Sequence, residues 1–78
     1  MTVIVDARGH RCPVPSLKLQ KAMQGQPPGT ILTLMATDPM ARIDVPYLMN
    51  QQGGTVLAIE EIEGILHITV ATPVVQRD

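Results

Sequence analysis

The chain has one cysteine, one aromatic residue and no long apolar run, and each scarcity excludes a class of function. Cys12 has no second thiol to join. An internal disulfide, a Cys-x-x-Cys redox pair and a zinc site built from cysteines are therefore closed to it. Small secreted domains usually carry several disulfides to supplement a thin core; a lone cysteine fits a reducing cytoplasm instead. Met1-Thr2-Val3-Ile4-Val5-Asp6 meets an acid too early for the apolar segment of a signal peptide. No apolar stretch approaches the roughly 20 residues of a membrane span. Tyr47 is the sole aromatic side chain, so no tryptophan or phenylalanine supplies a platform on which bases could stack. His10 and His67 are too few and too distant in sequence to suggest a metal site. Neither a metal nor a cofactor is expected.

Charge is scarce as well. The net value of −1 gives no field to draw nucleic acid or an anionic membrane, so neither is expected as a direct partner. Its distribution is more telling. No acid falls between positions 8 and 21, where Arg8, Arg11, Lys18 and Lys21 make up four of the six basic residues. Glu60, Glu61 and Glu63 cluster toward the other end. The plain reading is two solvated faces; the sharper one is a basic collar around Cys12.

What remains is aliphatic. Hydrophobic residues make up 45% of the 78 positions, enough for one domain spanning 1–78. Thr2–Val5 is a short β-type run, broken by a loop from Asp6 to Arg11. Pro13 and Pro15 suit a helix's first turn, where a missing N–H costs nothing. The spacing predicts a helix over 13–24, stopped by Gly25, with Cys12 near its N-cap. Gln26-Pro27-Pro28-Gly29 is a turn and 30–36 a strand. Asp38-Pro39 repeats the helix-start signal, with Asp38 as N-cap and Pro39 first in a helix over 39–51. Pro46 predicts a kink or short break near Asp44–Val45. Strands at 55–61 and 65–72 form a hairpin around Glu63-Gly64, and 73–78 is read as a loose tail. The order βαβαββ implies an α/β two-layer sandwich: a four-stranded mixed sheet with two helices on one face.

A thiol is a poor nucleophile until it ionises. Unpaired N–H groups at a helix start favour an anion, and Arg8, Arg11 and Lys18 place cations nearby. The two prolines fix the backbone around the sulfur. The bland alternative, a buried small hydrophobe, suits a loop–helix junction flanked by Arg11 poorly. Asp6 is read as a loop organiser that bonds the backbone N–H of residue 8 or 9, and Gly9 as supplying a positive φ. Asp38 is read as a cap rather than a catalytic acid, and His10 as a solvent-facing residue. Along the first helix, Pro15, Leu19, Ala22 and Met23 fall on one arc, which should face the sheet. Val14 and Leu17 fall on another, with Lys18 and Lys21. That second arc is either a buried margin or an apolar docking patch ringed by lysines.

Asp6-Ala7-Arg8-Gly9-His10-Arg11-Cys12-Pro13-Val14-Pro15 resembles the D-x-x-G-x-x-C-P-x-P signature of the TusA/SirA-like sulfur carriers. Lys18 or Lys21 falls where that family tends to be basic. Thr37-Asp38-Pro39-Met40-Ala41 resembles its D-D-P-x-A, with Thr37 replacing the first aspartate. Asp44-Val45-Pro46 resembles its D-I-P, and Gly53 also fits. The resemblance implies the same βαβαββ fold. It also implies that Cys12 accepts sulfur as a persulfide from a cysteine desulfurase or rhodanese-like donor and passes it to an acceptor protein. Such relays serve tRNA thiolation, molybdenum cofactor synthesis or sulfur oxidation. Some members have a second cysteine near the positions of Tyr47 and Leu48; its absence here implies a single-thiol carrier. A lone carrier of this kind is expected to be monomeric. The alternatives are a regulatory or selenium-linked relative, or a nucleic-acid-binding module without sulfur transfer. Net charge and the lack of aromatics speak against the last.

Overall fold

The computed structural model describes residues 2–74, so the tail expected over 73–78 lies outside the described residues from 75 onward. The elements are β1 (Val3–Ala7), α1 (Val14–Met23), β2 (Ile31–Ala36), α2 (Ala41–Gln52), β3 (Thr55–Ile62) and β4 (Ile65–Ala71). The strands form one sheet in the order β1-β2-β4-β3. β1 runs parallel to β2, as a βαβ crossover requires, while β4 is antiparallel to both β2 and β3. Both helices pack on the same face, as the element order implied. None of the described helices is long and apolar enough to cross a membrane.

Side-chain alternation decides which face is covered. Val5, Ala7, Leu32, Leu34, Ala36, Leu66, Ile68 and Val70 point toward the helices and are buried. From above, Leu19 and Met23 of α1 and Ala41, Val45 and Met49 of α2 complete an aliphatic core. The opposite face carries Ile4, Thr33, Met35, His67 and Thr69 and stays partly open. Thr33 and Thr69 face each other there, their hydroxyls 3.2 Å apart.

Three local expectations are corrected. β1 does not stop at Val5: Asp6 and Ala7 continue the ladder opposite Met35 and Ala36, because a buried alanine extends the inward-facing row. α2 begins at Ala41 with Met40 as N-cap, so Asp38 and Pro39 precede the helix. They form a turn instead, in which the N–H of Ala41 donates to the Asp38 carbonyl at 3.1 Å. Finally, α2 runs through Pro46 with no break at Asp44–Val45. The proline leaves only the Arg42 carbonyl without its helical donor. Val45 and Met49, both fully buried, hold the helix to the sheet across that gap.

Candidate functional site

The loop between β1 and α1 is ordered by short-range bonds. Asp6 accepts the backbone N–H of Arg8 at 3.1 Å, the expected organiser role. Its carboxylate also takes the Arg8 guanidinium through Nε at 2.9 Å and Nη2 at 2.8 Å. The Arg8 side chain, with the backbone bond second, lowers the Asp6 pKa from 3.8 to about 2. The same bond raises that of Arg8. Gly9 follows at φ +80°, a conformation that excludes most side chains. Its N–H donates to Thr37 Oγ1 at 2.9 Å. The residue that replaces the family's first aspartate therefore pins the cysteine loop to the entry of α2.

Cys12 is half-buried. Its backbone N–H donates to Asp38 Oδ2 at 2.8 Å, while Asp38 Oδ1 accepts the N–H of Met40 at 2.9 Å. One carboxylate thus closes its own turn and fixes the cysteine backbone. The thiol itself donates to Asp44 Oδ2, one turn into α2. The charged group that touches the sulfur is consequently a carboxylate, where sequence reasoning placed cations. Arg8 has turned its guanidinium onto Asp6. Cys12 lies next to the N-cap of α1, as expected: Pro13 holds that position, with no side-chain hydrogen bond, and the helix starts at Val14 rather than at 13. Beside the cysteine, an open depression of about 350 Å³ is lined by Gly9, His10, Arg11, Thr37, Asp38 and Pro39. Arg11 is thus on the rim, next to the cysteine in sequence.

The remaining site residues divide along α1. Pro15, Leu19 and Met23 are buried against the sheet and Ala22 is partly buried, so the inward arc is the expected one. Val14 and Leu17 are exposed, by 36% and 56%, which leaves an apolar pair open to solvent next to the sulfur. Lys18 and Lys21 are exposed and lean toward β1, where they line a second depression with Val3–Asp6.

Sequence reasoning quoted Asp44 only within the Asp44-Val45-Pro46 resemblance, with no role at the site, and gave Asp38 the duty of a helix cap. A signal existed for each. The two Xaa-Pro pairs, Cys12-Pro13 and Asp38-Pro39, share a pattern, and the parallel β1–β2 pairing brings their loops to the same sheet end. Asp44 lies one helical turn past Met40, within reach of anything placed over the start of α2.

Comparison with known proteins identifies the family and the fold. The family described as sulfurtransferase TusA matches residues 3–72. A relative from Thermotoga maritima is 37% identical over 62 residues, covering 80% of this chain and 78% of its own. The sulfur carrier protein TusA of Pseudomonas putida is 36% identical over 61 residues, covering 78% and 76% respectively. In fold, the crystal structure of a SirA-like protein from Desulfitobacterium hafniense superposes with a TM-score of 0.78. It covers 94% of this chain and 99% of that one at 23% identity. A lone cysteine at a proline-led helix entry, on this fold and within this matched span, makes the chain a member of the TusA family of sulfur carriers.

Proposed function

We propose that Cys12 carries the sulfur as a persulfide, taking it from a cysteine desulfurase or rhodanese-like donor and yielding it to an acceptor protein. In loading, Cys12 Sγ attacks the outer sulfur of the donor's persulfide. A sulfur–sulfur bond forms on Cys12 as the donor's own sulfur–sulfur bond breaks, and the donor leaves as a thiolate. Asp44, which already accepts the thiol hydrogen, receives that proton and returns it to the departing thiolate. No net oxidation occurs, because one persulfide is exchanged for another. Unloading is the same exchange with an acceptor thiolate as attacker and Cys12 as leaving group.

One observation supports this reading: the only cysteine of a sulfur-carrier chain directly follows the loop residues Gly9–Arg11 that line a surface depression, its amide held by Asp38 and its thiol by Asp44. Pro13, Pro15 and Gly9 set the backbone there. Arg11, with Lys18 in the first turns of α1, gives the approach a positive border, while Arg8 is spent on Asp6 and holds the loop. The exposed pair Val14 and Leu17, with Lys21 beside them, suits a partner surface with an apolar centre and an acidic rim. A single small carrier working as a monomer in a reducing cytoplasm could serve tRNA thiolation, molybdenum cofactor synthesis or sulfur oxidation. The test is loading. After incubation with a cysteine desulfurase and cysteine, intact-mass measurement should show one added sulfur atom that a reductant removes. A chain that stays unmodified while a reference carrier loads would overturn the proposal.

A further inference from the structure

The sheet has two edges, and they are finished differently. β3 is bulged between Val56 and Ala58 and carries Glu60 and Glu61. Glu61 is further tied to Arg42 of α2 at 3.3 Å. A bulge and charges along an edge are devices that keep another strand from pairing with it. β1 has no bulge, and its one charge, Asp6, is neutralised by Arg8. Its five residues, Val3–Ala7, pair in unbroken register with Leu32–Ala36 and include no proline and no lysine. Among the described residues no strand pairs with its outer side. Every second residue there turns its N–H and C=O outward without a ladder partner.

A cavity of about 480 Å³ runs along this edge, between the backbone of Val3–Asp6 and the Lys18, Lys21 and Ala22 side of α1. Lys18 and Lys21 are three residues apart and so share a helix face. Neither enters an ion pair among the described residues. The one acid in the groove, Asp6, has both oxygens on Arg8. The groove therefore combines unpaired backbone groups along its floor with two uncompensated cations on its wall. We propose that it takes an extended acidic segment of a partner protein, added as a fifth strand against β1 with its carboxylates on Lys18 and Lys21. Strand addition draws affinity from main-chain bonds and specificity from side-chain pockets, and both components are present. A second copy of this chain is the poorer fit: its acidic edge is the bulged β3, with Glu61 already paired. The bound segment would lie beside the loop that carries Cys12, so one contact could hold the partner while the sulfur is exchanged.

The experiment is a titration of the isotope-labelled chain, followed by amide NMR, with two synthetic peptides. One alternates valine with glutamate and the other valine with lysine. The glutamate peptide should shift the amides of residues 3–6 and 18–22 and slow hydrogen exchange along β1; the lysine peptide should do neither. Lys18→Glu/Lys21→Glu should weaken glutamate-peptide binding by about tenfold, the worth of two exposed ion pairs. If that variant does not fold, Lys18→Gln/Lys21→Gln gives the same comparison. Three results would each overturn the proposal. One is no response at 3–6. Another is equal response to both peptides or undiminished binding by the lysine variants. The third is a shift at 3–6 that appears with protein concentration alone and is matched at 55–62, which would mark a second copy's β3 as the occupant. Binding is read on the chain without donor or sulfur, so its failure and that of the sulfur-carrier reading are separate events.

Discussion

The two proline-led helix entries, Cys12-Pro13 and Asp38-Pro39, begin from the same local pattern and end in opposite states. At the second, the side chain is fully used: Asp38 spends one oxygen on the N–H of Met40 and the other on that of Cys12. At the first, the side chain caps nothing. Pro13 takes the N-cap position without a side-chain bond, and the Cys12 thiol donates to Asp44. One entry thus supplies the structural bonds for both, and the other is left free for chemistry. A short proline-led turn can serve either purpose, and what divides them is whether the leading side chain is a good acceptor for backbone N–H groups. Carboxylates are good acceptors, and a thiol is a weak one.

The sharpest test of that division is to remove each leading side chain. Cys12→Ser should lose sulfur uptake completely while changing stability by no more than about 0.5 kcal/mol, as expected where no structural bond is lost. Asp38→Ala should do the reverse at equilibrium. It deprives two backbone N–H groups of a charged acceptor, which should cost about 2 kcal/mol in urea denaturation. Uptake of sulfur should slow but persist. If Asp38→Ala proves neutral, or Cys12→Ser unfolds the chain, the division of labour is wrong.

A finer test concerns the carboxylate on the sulfur. A negative charge in contact with a thiol favours its protonated form over the thiolate. Asp44→Asn should therefore speed alkylation of Cys12 at neutral pH, by up to about tenfold if the charge is worth one pKa unit. It should also slow persulfide exchange, because the proton acceptor is gone. Opposite signs in the two assays would identify Asp44 as more than a local charge. A fall in both would mean that the residue merely positions the loop.

Most of the architecture was legible in the sequence, because aliphatic alternation, proline-led starts and glycine stops are local signals. The inward arc of Pro15, Leu19 and Met23, the positive φ of Gly9 and the Asp6 bond to Arg8 all follow from neighbours within a few residues. The site was legible only in part. Cys12 stood out by its uniqueness, but its partners Asp38 and Asp44 lie 26 and 32 positions away, and Thr37, which holds Gly9 of the same loop, lies 28 from that glycine. They reach it only because β1 and β2 run parallel and set both loops at one sheet end. The cations near Cys12 in sequence drew attention for the same reason that the acids escaped it. Proximity along the chain overstated Arg8, whose guanidinium is held by Asp6.

That clasp yields the smallest effect and tests how the first entry is kept in shape before the cysteine. Both side chains are half-exposed, so salt screens the pair and little stability rides on it. Its signature is in titration. The Asp6 carboxyl should titrate at about 2 rather than 3.8, as followed by side-chain carbon NMR. Because the folded value is the lower one, any contribution to stability is complete above the unfolded value. It disappears as pH falls from about 3.8 through about 2. Arg8→Ala removes the larger cause but leaves the backbone N–H of residue 8 on the carboxylate. The midpoint should therefore rise only part of the way toward 3.8. A full return would mean that the backbone bond is lost with the guanidinium, and that the loop before Cys12 is held by the arginine rather than by its own turn.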